Sequence, residues 1–94
     1  MNKSSFDLIK KSTAFLQGKD VHKFRDYAKP ALATAIDVIQ AVKASSVELT
    51  FDDISVTTGV HPSTVAETIR ALRSGGYPFT VREEQGQKML ISKG

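Results

Sequence analysis

The side chains able to do chemistry in this sequence are few, and their spacing points away from catalysis. Two histidines, His22 and His61, fall in unrelated segments. The adjacent Asp52 and Asp53 do not form a facing pair, because successive residues on a helix point in different directions. Both suit the positive end of a helix instead. There is no cysteine, which removes thiolate nucleophiles, thiolate metal sites and disulfide scaffolds together. No spacing of histidines and carboxylates matches a metal site. The one glycine pair, Gly75-Gly76, reads as a helix stop rather than a phosphate loop. No enzyme, metal or cofactor is expected.

Charge is the other chemistry on offer. The formal balance is +3 over 94 residues, a mild bias toward a polyanionic partner. It is unevenly spread. Residues 1–45 carry eight Lys or Arg against four Asp, whereas residues 46–94 carry five against six Asp or Glu. In the first half Lys19, Lys23, Arg25 and Lys29 recur at helical spacing, with Lys10 and Lys11 before them. Such a stripe suits nucleic-acid phosphates. It equally suits a plain solvated face.

The elements that must position these groups follow from periodicity. The length fits one domain with a single core. The 40% hydrophobic and 24% charged composition fits a soluble globular chain. No apolar run is long enough to span a membrane and no secretory signal is evident, so a cytoplasmic protein is expected. A first helix is predicted from Ser4, as cap, to about Gln17, with Phe6, Ile9, Thr13 and Leu16 on one stripe and Leu8 and Phe15 beside it. That width suits either core packing or a dimer seam. Asp20 would cap a second helix over Val21 to Ala28. Residues 1–29 therefore read as a basic helical extension able to form a homodimer.

Pro30 restarts the chain, and Leu32, Ala35, Ile36, Ile39 and Val42 predict a helix through Ala44. Val47-Glu48-Leu49 is a minimal strand. Thr50 caps the next helix, with Asp53 three residues on, and Phe51, Ile54 and Val56 face inward. Gly59 stops it. His61 then caps a helix from Pro62 to about Ser74, buried along Val65, Ile69 and Leu72. Phe79 to Glu83 alternates as a strand. Residues 84–87 turn, with Gly86 left-handed, and Lys88 to Ile91 return with Met89 and Ile91 on one face.

Two short helices joined by a glycine turn and followed by a hairpin form a winged helix-turn-helix. The fold class expected for residues 30–94 is thus α+β, mainly helical, with a three-helix core and a β-hairpin wing. Gly59-Val60-His61-Pro62-Ser63-Thr64-Val65, then Ile69-Arg70-Ala71-Leu72-Arg73 and Gly76-Tyr77-Pro78-Phe79, resemble the N-terminal domain of biotin operon repressors and related type-11 helix-turn-helix regulators. The resemblance covers about residues 49–92. It implies a DNA-binding regulator with helix 62–74 in the major groove.

On that resemblance Pro62, Ser63, Thr64 and Glu67 approach bases or phosphates of double-stranded DNA, while Arg70 and Arg73 reach phosphates. Ser63 and Thr64 suit hydrogen bonding to either. Pro62 offers an apolar contact. Glu67 can accept from cytosine N4 or simply pair with Arg70 at i, i+3. Arg82 and Lys88 flank the wing tip and suit the DNA backbone, against the opposing Glu83-Glu84. Lys23 and Arg25 of the basic stripe would add phosphate contacts. The acidic residues on the same helix and wing also fit a second expectation, a winged-helix module that docks on a protein.

Overall fold

A computed structural model describes residues 1–86 and 88–93. The chain is α+β and mainly helical, ending in a two-stranded antiparallel hairpin. The elements are α1 (Lys3–Lys11), α2 (Thr13–Leu16), a 3₁₀-helix (Val21–Tyr27), α3 (Pro30–Ala44), α4 (Phe51–Thr58), α5 (Pro62–Ser74), β1 (Phe79–Glu84) and β2 (Lys88–Lys93).

The central helices form where their local signals place them. Pro30 opens α3 in its first turn, where a missing N–H costs nothing. Thr50 and Asp53 close a reciprocal capping box on α4: Thr50 Oγ1 accepts from the Asp53 amide and Asp53 Oδ2 from the Thr50 amide, each at 3.0 Å. Gly59 ends α4 at φ 76°, a left-handed conformation that glycine adopts without a Cβ clash. His61 caps α5 and Pro62 occupies its first turn. In the hairpin Phe79 pairs with Lys93 and Glu84 with Lys88. Gly86 is left-handed as expected, and Gln85 joins it at φ 54°. The remaining turn residue, Gln87, lies outside the described residues.

The N-terminal segment departs most from its sequence reading. Asn2, not Ser4, caps α1, its side chain accepting from the Ser5 amide at 2.8 Å. The long helix to Gln17 breaks at Ser12, whose ψ is 3°. Immediately after the break, Thr13 Oγ1 donates to the Ile9 carbonyl, a local bond of the kind that bends helices. The helix expected over Val21 to Ala28 is a 3₁₀-helix, Val21–Tyr27, with Ala28 extended, and Asp20 makes no side-chain cap.

Nor are residues 1–29 peripheral to the packing. Ile9, Leu16 and Val21 belong to the same buried cluster as Ile36, Ile39 and Val42 of α3, Ile54 of α4 and Val65, Ile69 and Leu72 of α5. Helix α1 packs on both α5 and α3. Of the expected stripe, Ile9, Thr13 and Leu16 are buried and Phe6 packs partly buried against the core, while Phe15 on α2 is left exposed. A Cβ at Gly75 would stand 2.5 Å from the Lys10 carbonyl oxygen and closer still to Thr13 Oγ1. The α1–α5 approach thus uses the absence of a side chain at Gly75.

Two smaller expectations also change. The strand at 47–49 reduces to a single bridge, Leu49 to Ile91, with N···O distances of 2.9 and 2.7 Å. Ser45 Oγ binds both the Val47 amide and carbonyl, folding the preceding residues into a turn. Val56 points to solvent, because only Ile54 of α4 is fully buried.

Candidate nucleic-acid interface

Helix α5 has three differently occupied sides. Val65, Ile69 and Leu72 enter the common core. Thr68 and Ala71 are also fully buried, and Thr68 Oγ1 has no hydrogen-bond partner. Ser63, Arg70, Arg73 and Ser74 remain exposed. This outer side borders an open groove whose opposite wall is the hairpin.

One half of the groove is lined by Phe51, Ala66, Ile69, Arg70, Arg73, Val81 and Met89. The adjoining half shares Phe51, Ala66 and Met89 and adds Asp52, Asp53, Pro62, Ser63 and Lys88. Five of the predicted site residues, Pro62, Ser63, Arg70, Arg73 and Lys88, therefore border one continuous surface. Among the described residues, neither Arg70 nor Arg73 has an acidic partner within ion-pair distance. Both keep their charge available outward.

The other expected contacts are differently placed. Thr64 is half-buried. Glu67 does not pair with Arg70: its Oε2 lies 3.1 Å from the Met1 amine, because α1 is packed along that side of α5. Arg82 is held by Glu48 through two bonds, Nε to Oε2 at 3.1 Å and Nη2 to Oε1 at 2.7 Å, with Glu84 at 3.4 Å. Successive strand side chains alternate faces. Val81 and Met89 line the groove, so Arg82, one residue on from Val81, lies on the opposite face. Its hydrogen bonds to Glu48 hold that carboxyl below the ordinary range and raise the guanidinium.

Arg25 is likewise committed. It forms a bidentate pair with Asp37 of α3, at 3.0 and 2.9 Å, and touches Asp26. The pair with Asp37 raises its pKa. Lys23 lies 3.8 Å from Asp20. Both cations sit on the 3₁₀-helix, which packs on α3, and neither lines the α5 groove. Asp53 is held below the usual carboxylate range, first by the Thr50 amide and then by the Thr50 side chain, with Lys88 contributing by charge. Lys88 is thus partly answered across the groove.

At the start of α5, His61 Nδ1 accepts from the Ser63 amide at 3.1 Å and lies 2.8 Å from Ser63 Oγ. A ring nitrogen that accepts an N–H carries no proton. The Nδ1 lone pair is thus committed to the Ser63 amide, and the Ser63 hydroxyl is left exposed beside the ring.

Sequence reasoning did not anticipate the groove floor of Phe51, Ala66, Val81 and Met89, nor the roles of Glu48 and Asp37 as partners of Arg82 and Arg25. The alternation of β2 put Met89 on one face with Ile91, without showing what that face meets. Nothing local pairs Glu48 with a residue 34 positions away.

Among the described residues no group of three or more His, Asp or Glu side chains is placed to hold a metal ion. No helix is long and apolar enough to cross a membrane. Comparison with known protein families, with curated proteins and with solved structures finds no match for this chain.

Proposed function

We propose that this chain is a small sequence-specific binder of double-stranded DNA, a winged helix-turn-helix regulator that presents α5 to the major groove. The observation that carries the proposal is the outer side of α5. A left-handed glycine turn separates it from α4, a hairpin follows it, and it carries Ser63, Arg70 and Arg73, with both arginines lacking acidic partners among the described residues. Arg70 and Arg73 serve as phosphate ligands. Ser63, exposed in the first turn of α5, hydrogen-bonds a base edge or a phosphate. Lys88 adds a third cation at the same groove.

Three available cations imply a modest electrostatic term, a slope of about −3 in log K against log salt for one protomer. Titration of DNA fragments at two salt concentrations tests this. Salt-dependent binding that retains a sequence preference supports the proposal; no salt-dependent binding refutes it.

One observation favours a second reading, a protein-docking module. The groove floor between α5 and the hairpin is apolar, built from Phe51, Ala66, Ile69, Val81 and Met89. Retention of one stoichiometric protein partner with no DNA retained would select that reading.

A further inference from the structure

The half of the groove at the C-terminal end of α5 carries a surface that duplex DNA leaves unused. Its floor is Phe51, Ala66, Ile69, Val81 and Met89, and its rim is Arg70, Arg73 and Ser74. The space between them is about 440 Å³, within the range of about 300–1,000 Å³ that small-molecule sites occupy. Phe51 and Val81 pack only partly buried against the core, so a body lying on them removes further apolar surface from water. The edges of DNA are polar apart from the thymine methyl and do not fill such a floor.

The charge of the groove is one-sided. Arg70 and Arg73, three positions apart, are neighbours on one face of α5. Neither has an acidic partner among the described residues, and none of the carboxylates among those residues lines this half. The acids gather at the other end. Asp52 and Asp53 line the adjoining half, and Glu83, paired with Met89 across the hairpin, shares the strand face of Val81.

We propose that the cationic half binds one small amphipathic acid. Its aryl or medium-chain alkyl body lies on the floor, and its single carboxylate sits between the guanidiniums of Arg70 and Arg73. Charge complementarity sets the sign of the ligand: the planar fork of arginine matches a carboxylate, and the Ser74 hydroxyl adds a donor at the same rim. The same pattern sets its length. An acidic peptide laid along the whole groove would run onto Asp52 and Asp53, where like charges repel. A short acid stops before them. Binding of the acid does not depend on the DNA reading. Only its consequence rests on that reading: where Arg70 and Arg73 hold phosphates, the acid competes for them and releases DNA.

Titration of the full chain with naphthoate, in the absence of DNA, tests the site by calorimetry and by NMR of the backbone amides. One equivalent should bind with a dissociation constant between about 10 µM and 1 mM, the order that a ligand of this size reaches. Amide shifts should centre on Ala66, Ile69, Arg70, Val81 and Met89. Naphthamide, with the same body and no charge, should bind about tenfold more weakly, as should Arg70→Ala and Arg73→Ala with naphthoate. Ala66→Leu puts a side chain across the floor and should abolish binding, with circular dichroism verifying that every variant folds. No saturable binding at millimolar naphthoate would overturn the proposal. So would naphthamide binding as tightly, variants that bind like the parent, or shifts centred on Phe15, Phe24 and Tyr27 instead. A chain that ignores naphthoate but is saturated by an acidic amphipathic peptide would overturn it in favour of protein docking. Loss of the DNA reading leaves every one of these outcomes unchanged, so the two readings fail separately.

Discussion

Replacing Ile9 with alanine measures whether the N-terminal segment is an appended arm or part of the fold. Ile9 is 0% exposed and sits in the shared cluster with α3, α4 and α5. Truncating a fully buried isoleucine removes its transfer free energy and leaves a cavity, about 2–5 kcal/mol in all. At about 2.1 cal/mol/K per residue, the 94-residue chain has an unfolding entropy of about 200 cal/mol/K near its midpoint. Each kcal/mol is then worth about 5 °C, and a mid-range loss of about 3 kcal/mol lowers Tm by about 15 °C. Ile9→Val removes one methyl and should lower it by roughly 3–7 °C. Ser4→Ala, on the exposed side of α1, should stay within about 0.5 kcal/mol of the parent. Differential scanning calorimetry is the assay, and a single transition should persist in every variant. If Ile9→Ala shifts Tm by under about 5 °C, or splits the melt into two transitions, residues 1–29 do not share the core and the reasoning fails.

Gly75→Ala should destabilise by about 1–3 kcal/mol although alanine favours helices, because the new Cβ meets the Lys10 carbonyl and Thr13 Oγ1; a neutral or raised denaturation midpoint would contradict the close approach of α1 and α5. Thr50→Ala breaks the α4 capping box and should cost about 1 kcal/mol by urea denaturation. Glu48 and Asp53 both have folded pKa values below their ordinary ones. The stability they supply is therefore complete above the unfolded carboxylate values of about 4 and is lost as pH falls through the lower folded values. Urea midpoints measured from pH 6 down to 2 should fall in that window, and fall less for Asp53→Asn; identical profiles would count against the Thr50–Asp53 pairing. Under the proposed function, Arg70→Ala and Arg73→Ala should each reduce the salt slope of DNA binding by about 1 while leaving sequence preference intact, whereas Ser63→Ala should change the preference by about 1–3 kcal/mol at one base position. Unchanged affinity in both arginine variants would remove α5 from the interface.

Elements governed by neighbouring residues were legible in the sequence. The Thr50–Asp53 box, the Gly59 stop, the His61–Pro62 start, the Val65–Ile69–Leu72 stripe and the left-handed Gly86 each depend on contacts within about four positions, and each forms as read. The outward placement of Ser63, Arg70 and Arg73 on α5 follows from the same periodicity. The α-versus-3₁₀ choice at 21–27 was not legible. A seven-residue segment has few helical bonds of its own, and it is tied down by Val21 in the common core and by the Arg25–Asp37 pair to α3.

What only the tertiary structure decided is which charges are free. A list of cations treats Arg25, Arg70, Arg73 and Arg82 alike. Folding brings Asp37 to Arg25 across 12 positions and Glu48 to Arg82 across 34, and leaves Arg70 and Arg73 facing open groove. The Arg25 charge of the first half is thereby committed to α3, and the N-terminal helix is anchored by its apolar side in the core. The physical reason is range. Helix caps, turns and stripes are fixed by bonds between near neighbours, which a sequence displays. Burial and ion pairing are fixed by whichever distant surfaces the packed helices bring within a few ångströms, which only the assembled fold specifies.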